Sequence, residues 1–527
     1  MRTRSTGQSR STPCAARISA DSGSPCASEN RVRRAAPSLR PSPNTPKIAA
    51  KIGFGEGCMR DDVQFSGFLF KGKSALWRGH LLILFAFVAL AMPRESADAA
   101  EGETPKKFVP YPQFISETKD AKPQDFGAKS DGRVKDAAAF EEMRSYILSY
   151  YDGIAVKHSF VEDGRTVDCV PIEQQPSLHS GKGGEKSELR PAPITRPITP
   201  PKPEKGAAAP GSTRAIDLTL KKGKRDAFGN ELYCPKGTIP IRRMTLDDIM
   251  RFPTLRDFLR AGKWDDGSLD REGRTHPNRN NPDDSSTHYY ARGYQFVDNF
   301  GGDGWLNVWS PTVAKDSMSL SQLWVVGSEG EGKQTVEAGW QVYPNKWGSD
   351  KAALFIFYTT KNYSDGCYNL ECKGFVQIAN NVYLGKGFTH YSSSGDGQWG
   401  FNLQWKRHTD GNWWLFYKGN ANYIAVGYYP KSLFGTGTLA SKATKIAFGG
   451  EDTGDASAKQ MGSGALAADG WQKAAFLNFA FYIDTSTVSQ WANLTKYESD
   501  PDCYTATINN IYGSWGTYLY FGGPKCN

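Results

Sequence analysis

The 527-residue sequence lacks the short motifs that mark several common kinds of catalytic site. The nearest approach to the G-x-S-x-G motif of serine hydrolases is Gly-Ser-Gly at residues 462–464, which is too short and lies outside a strand–turn–helix context. The zinc motif H-E-x-x-H is absent, and no Walker or G-x-G-x-x-G element follows a predicted strand and opens a helix. His288, His390 and His408 are scattered among the predicted strands. A catalytic acid and base in this chain are therefore expected to be carboxylates.

Most of the chain also lacks an excess of positive charge. The formal net charge is +9, but residues 1–99 hold 15 Lys and Arg against 7 Asp and Glu, a net of +8. The whole chain has 64 Lys and Arg and 55 Asp and Glu, so residues 100–527 hold 49 against 48, a net of +1. Nucleic-acid binding needs its basic surface on the folded domain. No nucleic-acid partner is therefore predicted.

The longest apolar run, residues 81–92, is too short to cross a bilayer, which takes about 20 apolar residues. Three basic residues at positions 71–78 precede it, and an A-x-A site ending at Ala99 follows it. This order is typical of a secretory signal peptide, with cleavage expected after Ala99. A buried core helix is the other interpretation of the run. Residues 1–58 are too long for an n-region, so synthesis is predicted to begin near Met59. A secreted or periplasmic protein without a stable membrane anchor is expected.

Cysteine is sparse after Ala99. The even number that remains, in an exported chain, predicts disulfides rather than a metal site. Two of these cysteines are separated by four residues, which is close to zinc-ligand spacing, but no second Cys or His pair accompanies them, so a small disulfide loop is predicted. The three cysteines before Met59 are left out of the fold. The six cysteines after Ala99 are Cys169, Cys234, Cys367, Cys372, Cys503 and Cys526.

Residues 100–263 combine a small α+β domain with a proline-rich linker. Residues 136–151 place apolar side chains on one helical face, and residues 158–172 are typical of a hairpin with Asp163-Gly164 at its turn. The stretch 180–214 is rich in Gly, Pro and Lys and predicts an exposed, partly polyproline linker. Two capping boxes follow, beginning at Thr245 and Thr254. Residues 264–287 have almost no apolar content and predict a second linker.

From residue 288 to 527 the composition and the periodicity of the sequence change. About a dozen short apolar and aromatic runs alternate with Gly, Asn and Asp turns, with no helical crossovers between them. This pattern predicts an all-β domain, an antiparallel β-sandwich of the jelly-roll or concanavalin-like kind.

Two glutamates in this domain share a local design. In V-E-A-G-W-Q-V-Y-P, residues 336–344, Glu337 stands beside Gly339 on the face opposite the core face of a strand. In K-I-A-F-G-G-E, residues 445–451, Glu451 shares its face with Gly449. Small neighbours leave a trough in which a substrate backbone can approach. Two carboxylates facing one trough would influence each other's protonation and could serve as acid and base. The competing interpretation is a pair of solvated surface glutamates.

The motifs taken together resemble the neprosin family of secreted glutamic peptidases. VDCVPIEQQPSL and CPKGTIPIRR are similar to the family's activation-peptide region. Eleven further segments are similar, in order, to its catalytic domain: HYYARGYQF, LNVWSP, SLSQLWVVG, VEAGWQVYP, GCYNLECKGFVQI, GNWWL, VGYYP, FGGE, QMGSG, DCYTATINN and YFGGPKCN.

The resemblance implies a zymogen of an acid-active endopeptidase that cleaves after proline, without metal or cofactor. Residues 100–263 would be the pro-domain and inhibitor, 264–287 a cleavable linker, and 288–527 the catalytic sandwich. The family's two catalytic glutamates fall on Glu337 and Glu451. Proline-containing peptides or proteins would be the substrates. Self-processing at the exposed Pro277 or Pro282 is a further hypothesis.

Four other residues are weaker candidates for substrate binding. Gln341 shares the face of Glu337 and could orient water or substrate, or make a structural hydrogen bond. Tyr343 is a candidate wall for a proline pocket. Gln460 and Ser463 follow Glu451 and could line the trough, although a plain turn also explains their segment.

The resemblance also implies disulfides Cys367–Cys372, Cys503–Cys526 and, in the pro-domain, Cys169–Cys234. Two departures concern the pro-domain: the sequence SLHSGKGGEK replaces a His-Pro-Leu-rich run, and the proline-rich insert at residues 191–203 is unusual for the family.

Two alternatives remain at this point. One is a carbohydrate-binding or glycoside-hydrolysing sandwich, because paired carboxylates and tryptophans suit sugars equally well. The other is an inactive family member that only binds. A cysteine-linked pro-domain disfavours the first, and the presence of both glutamates disfavours the second.

Overall fold

The structure is a computed structural model. All described residues belong to one compact unit, Glu95–Asn527. They are residues 107–126, 134–178, 194–205, 208–260, 288–328, 330–454 and 460–526. The predicted signal peptide at 81–92, its cleavage site after Ala99, Cys14, Cys26, Cys58 and the predicted linker 264–287 with Pro277 and Pro282 lie outside these ranges. No helix in the described ranges is long and apolar enough to cross a membrane.

The helix predicted at residues 136–151 forms because its apolar side chains fall on one side and Asp136 caps its start. The Asp136 carboxylate accepts from the Ala139 N–H at 2.8 Å, and Phe140, Met143 and Ile147 are buried. The capping boxes at Thr245 and Thr254 likewise open short helices. The helices of this region are α1 (Tyr111–Asp120), α2 (Ala137–Tyr150), α3 (Leu246–Ile249) and α4 (Leu255–Arg260).

A three-stranded sheet completes the N-terminal region. Asp163 and Gly164 both have positive φ, which matches the twist of a two-residue hairpin. The strands before residue 288 are β1 (His158–Glu162), β2 (Arg165–Pro171), β3 (Thr213–Ala215) and β4 (Thr238–Arg242). The order of the strands in the sheet is β1-β2-β4, and a disulfide joins Cys169 to Cys234 beside it.

Residues 288–526 form two facing antiparallel sheets, which confirms the predicted all-β sandwich. The elements are β5 (His288–Asn299), β6 (Gly301–Asn307), β7 (Ser319–Gly327), β8 (Gln334–Val342), α5 (Pro344–Trp347), β9 (Ala353–Thr359), β10 (Cys367–Tyr368), β11 (Val376–Gln377), β12 (Gln398–Arg407), β13 (Trp413–Lys418), β14 (Ile424–Tyr429), β15 (Ala443–Thr453), β16 (Ala475–Ile483), β17 (Ser489–Trp491), β18 (Thr495–Glu498), β19 (Thr505–Gly513) and β20 (Gly516–Gly522).

The smaller sheet has the order β10-β9-β8-β7-β15-β5-β18, and the larger has β11-β14-β13-β12-β6-β16-β20-β19, with β17 on β16 and β3 on β12. Their inner faces pack together: Ile446 lies against Gly302 of the facing sheet, and the Trp340 indole donates to the Asn307 carbonyl at 2.9 Å. The core therefore lies between the sheets, as strand alternation requires. The outer face of each sheet is left for other roles.

Disulfides Cys367–Cys372 and Cys503–Cys526 lie within the sandwich. The first closes a loop beside β10, and the second joins the residues after β20 to those before β19. All three bonds are the pairs that the neprosin resemblance implies.

The predicted proline-rich linker is not free of the fold where it is described. Residues 194–205 lie against the larger sheet, and β3 pairs in parallel with β12. Most of residues 194–205 are exposed, but Gln404 and Lys406 of the sheet donate to their backbone carbonyls, so this part of 180–214 is not a free linker. Proline has no backbone N–H, but the carbonyls of the segment remain available, and side chains of the sheet donate hydrogen bonds to them.

Candidate active site

Three neighbouring strands bring the predicted glutamates together. Strand β7 lies between β8 and β15, and directly paired residues in antiparallel strands point to the same face. Glu337 pairs with Trp324 of β7, and Glu451 pairs with Leu320. Gln322, halfway between those two positions, is opposite both Gly339 and Gly449. The outer face of the smaller sheet therefore presents Glu337, Gln322 and Glu451 side by side.

One amide group connects the two carboxylates. The Gln322 Nε2 donates to Glu337 Oε2 at 3.0 Å and to Glu451 Oε2 at 3.4 Å. All three side chains are fully buried. The glutamates, 114 positions apart in sequence by their numbering, thus form one polar cluster. A solvated surface pair, the competing interpretation, does not fit this burial.

The remaining oxygen of Glu337 is also occupied. The Tyr363 hydroxyl donates to Glu337 Oε1 at 2.6 Å, and the Thr335 hydroxyl donates to the same atom at 2.8 Å. Tyr363 comes from the loop after β9 and has positive φ, and it is itself buried. Glu337 is therefore held as a hydrogen-bond acceptor by three donors from two strands and a loop.

Glu451 has a different neighbour. The His288 Nδ1 lies 2.9 Å from Glu451 Oε1, and the imidazole is almost completely buried. His288 is the first residue described after the predicted linker and the first residue of β5. Its ring stacks beside Tyr290, with centroids 6.2 Å apart. The first residue of the predicted catalytic sandwich therefore contacts the candidate site itself.

The glycines beside the glutamates make room for protein groups rather than for an open trough. A Cβ on Gly339 would lie 2.0 Å from the Ser321 carbonyl oxygen and 2.6 Å from Gln322 Cβ. A Cβ on Gly449 would lie 2.6 Å from the Ala291 carbonyl oxygen. The expected trough is thus filled in this form of the chain, and Gly339 allows β7 and Gln322 to approach.

A match to a known family accompanies this geometry. Residues 315–524 match the family model Neprosin, and this range contains both glutamates and Gln322. The chain carries a neprosin domain. The family resemblance predicted from the motifs is confirmed over these residues.

Several solved structures are similar in fold to the neprosin domain. Two are crystal structures of Scytalido-glutamic peptidase, one with a peptide-based transition state analog and one with a transition state analog inhibitor. Each is 8% identical and covers 46% of this chain, with 98% and 100% of the other chain covered and TM-scores of 0.26 and 0.27. The third is SCP-B, a member of the Eqolisin family of peptidases, with the tripeptide Ala-Ile-His, at 6% identity, 46% and 98% coverage and a TM-score of 0.24. Likeness at this level carries no argument about chemistry.

The weaker candidates lie at different distances from the cluster. Gln341 is on the same face of β8, and its amide donates to the Tyr368 hydroxyl at 3.0 Å and to Met318 Sδ at 2.8 Å. Burial raises the pKa of Tyr368 well above its ordinary value, so this hydroxyl remains a neutral hydrogen-bonding group. Tyr343 is buried and packs edge-on against Phe252 of the N-terminal region.

The other two candidates accept hydrogen bonds from backbone N–H groups of the sandwich. Gln460 accepts from the Thr312 backbone N–H through its Oε1 at 3.0 Å. Ser463 accepts from the Ala465 N–H at 3.2 Å, as in a turn. Within the described ranges, no group of three or more His, Cys, Asp and Glu residues could hold a metal ion.

Sequence reasoning missed Gln322, His288, Thr335 and Tyr363. Thr335 had a usable signal, because it stands two residues before Glu337 on the same face of the strand. Gln322 and Tyr363 had none, since their approach depends on strand order and on a loop. His288 was dismissed as scattered, although it begins a segment similar to the family.

Proposed function

We propose that the chain is the zymogen of a glutamic endopeptidase that hydrolyses the peptide bond after proline. The observation that carries this proposal is the buried Glu337–Gln322–Glu451 cluster on the outer face of the smaller sheet. The match of residues 315–524 to the family model Neprosin supports a peptidase. The preference for proline rests on the family resemblance alone.

The proposed chemistry needs only these side chains and water. One glutamate, as a carboxylate, removes a proton from water while the water oxygen attacks the scissile carbonyl carbon. The other, protonated, donates its proton to the leaving amine as the C–N bond breaks. The Gln322 amide, held between them, can donate to the oxygen that becomes negative in the tetrahedral intermediate. The proton taken from water replaces the one given to the amine, and a proton exchange with solvent restores the starting state.

Burial of the cluster supports an inactive precursor. Glu337 and Glu451 have no exposed surface, so a peptide cannot reach them in this form. Their covers are connected to the N-terminal region: Arg260 donates to the carbonyl of Ser364, next to Tyr363, and His288 contacts Glu451. Tyr363 and His288 both follow the predicted linker, so cleavage between Arg260 and His288 would leave them on the sandwich and would allow Arg260 to leave with the rest of the pro-domain.

Further contacts hold the pro-domain on the neprosin domain. The Arg251 Nε donates to the Asn345 carbonyl at 2.6 Å, and the Lys346 Nζ donates to the Phe258 carbonyl at 2.8 Å. Asp248 supports this surface. Burial would raise its pKa, but Arg251, Arg242 and Arg165 together hold the pKa of this carboxyl far below its usual range. The pro-domain is therefore proposed as the chain's own inhibitor.

The test uses two matched peptides that differ only in proline or alanine before the scissile bond. The full chain is incubated at pH 3 to 7, and hydrolysis is followed by mass spectrometry. Cleavage of the proline peptide after proline, much faster than any cleavage of the alanine peptide, is expected. Cleavage of both peptides at equal rates would contradict the proposed preference for proline. Hydrolysis of a polysaccharide with no hydrolysis of either peptide would contradict the peptidase proposal.

The same samples also test self-processing. Acid treatment is expected to produce a new N-terminus between Pro277 and His288. An unprocessed chain that cleaves the proline peptide at its full rate would contradict the zymogen proposal.

A further inference from the structure

The larger sheet carries a short extended segment on its outer face. Residues 194–205, I-T-R-P-I-T-P-P-K-P-E-K, contain four prolines and make no hydrogen bond among their own described backbone groups. Four prolines in twelve residues favour a polyproline II conformation, in which the backbone carbonyls remain available. The segment belongs to the insert that is unusual for the family.

The burial of the segment follows the period of that conformation. Thr195 is buried and Ile198 and Pro201 are half-buried, as is Pro197 beside Ile198, whereas Arg196, Thr199 and Pro200 are exposed. Polyproline II has three residues per turn, so residues 195, 198 and 201 fall on one side. This side faces the sheet.

Gln404 of β12 recognises the backbone at the centre of the segment. The Ile198 N–H donates to Gln404 Oε1 at 2.7 Å, and Gln404 Nε2 donates to the Ile198 carbonyl at 2.8 Å. A single side-chain amide thus binds both backbone groups of one residue, as a neighbouring strand would. This contact requires an extended chain and is independent of the side chain at that position.

Further donors of the sheet reach carbonyls on both sides. The Lys406 Nζ donates to the Arg196 carbonyl at 2.5 Å, and the Trp491 Nε1 donates to the Lys202 carbonyl at 3.3 Å. His408 lies 2.8 Å from the Thr195 hydroxyl. Donors that contact carbonyls suit a chain whose prolines have no N–H to offer.

The binding amide is held in place by the sheet itself. Gln404 Nε2 also donates to Asp303 Oδ2 at 3.2 Å, and Asp303 accepts from Tyr423 at 2.7 Å and from Asn402 at 2.9 Å. Asp303 is fully buried. Because a carboxylate only accepts, Asp303 in its ionised form fixes which end of the Gln404 amide is the donor. The site is therefore preorganised by residues of the sandwich.

We propose that this surface, the outer groove formed by Asp303, Gln404, Lys406, His408 and Trp491, is a second peptide-binding site for an extended proline-rich chain. The chain's own residues 194–205 occupy it here. All five groove residues follow the predicted linker, whereas the occupant precedes it. A cut in that linker would leave the groove on the neprosin domain and allow the occupant to leave with the pro-domain. Its use to hold proline-rich substrates rests on the proposed function, but the binding itself does not.

The ligand class follows from the contacts. A small hydroxyl residue suits the position of Thr195, and an apolar residue suits that of Ile198. Prolines suit the positions between the residues whose carbonyls are bound. A tethered segment competes at an effective concentration of roughly millimolar, so an external peptide is expected to bind weakly until the tethered segment is removed.

Binding can be tested in the full chain without any cleavage. The parent carries Glu337→Gln to prevent hydrolysis, and in a second protein residues 194–205 are replaced by twelve Gly and Ser residues. The probe is a fluorescent peptide of the sequence 194–205, followed by anisotropy. The replaced protein is expected to bind the probe at least about tenfold more tightly than the parent. Equal affinity, or no binding by a replaced protein that melts at the parent temperature, would overturn the proposal.

Two variants and a second peptide define the site. Gln404→Leu and, as a milder change, Trp491→Phe in the replaced protein are each expected to weaken binding about tenfold, because each removes hydrogen bonds to the peptide backbone. Lys431→Ala, on the exposed loop after β14, is the control and should bind like the replaced protein. A probe with its four prolines changed to alanine is expected to bind at least tenfold more weakly.

Two other results would overturn the proposal. Unchanged binding of the alanine probe would show that the groove accepts any extended chain. Association of the replaced protein with the parent in sedimentation, without peptide binding, would assign the groove to a second copy of this chain.

Discussion

At the scale of single residues, the site depends on Gln322 as much as on the glutamates. Its one amide nitrogen reaches both carboxylates, so it holds them apart and offers a donor at the centre of the cluster. Removing it would leave two buried acidic groups facing each other without a bridge, which is costly in a site of low polarity.

Gln322→Leu is expected to lower kcat by about 10²–10³, with a small change in KM, because a donor to the developing oxyanion is lost. Steady-state kinetics on the proline peptide at the optimum pH measure this. Gln341→Leu is the matched control, since Gln341 lies on the same face but donates to Tyr368 and Met318. Equal losses for both variants would contradict the role given to Gln322.

Asp303 provides a pH signature far from the catalytic cluster. Burial raises its pKa to about 6, against hydrogen bonds from Tyr423, Asn402 and Gln404 that lower it. The folded chain then holds this proton more tightly than the unfolded chain, whose Asp titrates near 4. The protein is therefore stabilised by this group below pH 4 and loses that contribution as the pH rises to 6.

This loss is expected to be about 3 kcal/mol between pH 4 and pH 7 for the wild type relative to Asp303→Asn. Urea unfolding of both proteins across this pH range measures it. A difference between the two proteins that does not change with pH would contradict the assignment.

At the scale of the elements, the register of β7 between β8 and β15 creates the site. Gly339 permits this register, because a Cβ there would meet the Ser321 carbonyl and Gln322. Strands β7 and β8 also carry buried core residues on their opposite face, so the same two strands position both the site and the core.

Gly339→Ala is expected to destabilise the protein by about 1–3 kcal/mol and to reduce activity, because the strands must move apart. Gly332→Ala is the control, since a Cβ at that position has open space around it. Chemical unfolding and peptide hydrolysis are measured on both. A Gly339→Ala protein as stable and active as Gly332→Ala would contradict this account of the strand register.

The difference between local and long-range information explains what could be predicted. Strand alternation and the motifs identified Glu337 and Glu451, because side-chain direction in a strand repeats every two residues. Gln322 could not be found in this way, because its approach to the glutamates depends on the order of strands in the sheet, which no local sequence pattern indicates. The expected trough was wrong for a related reason: alternation shows which face a glycine occupies, but not which residue of another strand fills the space beside it.

At the scale of the whole molecule, the N-terminal region that we propose as a pro-domain is held on the sandwich by polar contacts that acid can weaken. Lys386 of the sandwich donates to both oxygens of Glu162 at 2.7 Å, in the hairpin of the pro-domain, and is almost fully buried. Asp163 stands beside this pair. Burial, and then the charge of Glu162, raise the pKa of Asp163, so it gains a proton in milder acid than an ordinary Asp.

Lys386→Met is expected to speed acid processing several-fold at pH 5 to 6, because Glu162 loses its buried partner and the pro-domain docks less tightly. The rate is measured as the appearance of the new N-terminus by mass spectrometry. Lys442→Met is the control, since that lysine pairs with the exposed Asp298 within the sandwich. Identical processing rates for both variants would contradict a role for this pair in holding the pro-domain.

The most direct test of the central claim compares Glu337→Gln, Glu451→Gln and the double variant with the wild type. Each variant is processed in trans by affinity-tagged wild-type enzyme, which is then removed, and kcat on the proline peptide is measured. If the two glutamates act as one unit, each single variant loses at least about 10³ in kcat and the double variant loses no more than a single one. A single variant that keeps the wild-type kcat, or losses that multiply in the double variant, would contradict the claim that Glu337 and Glu451 form the catalytic pair.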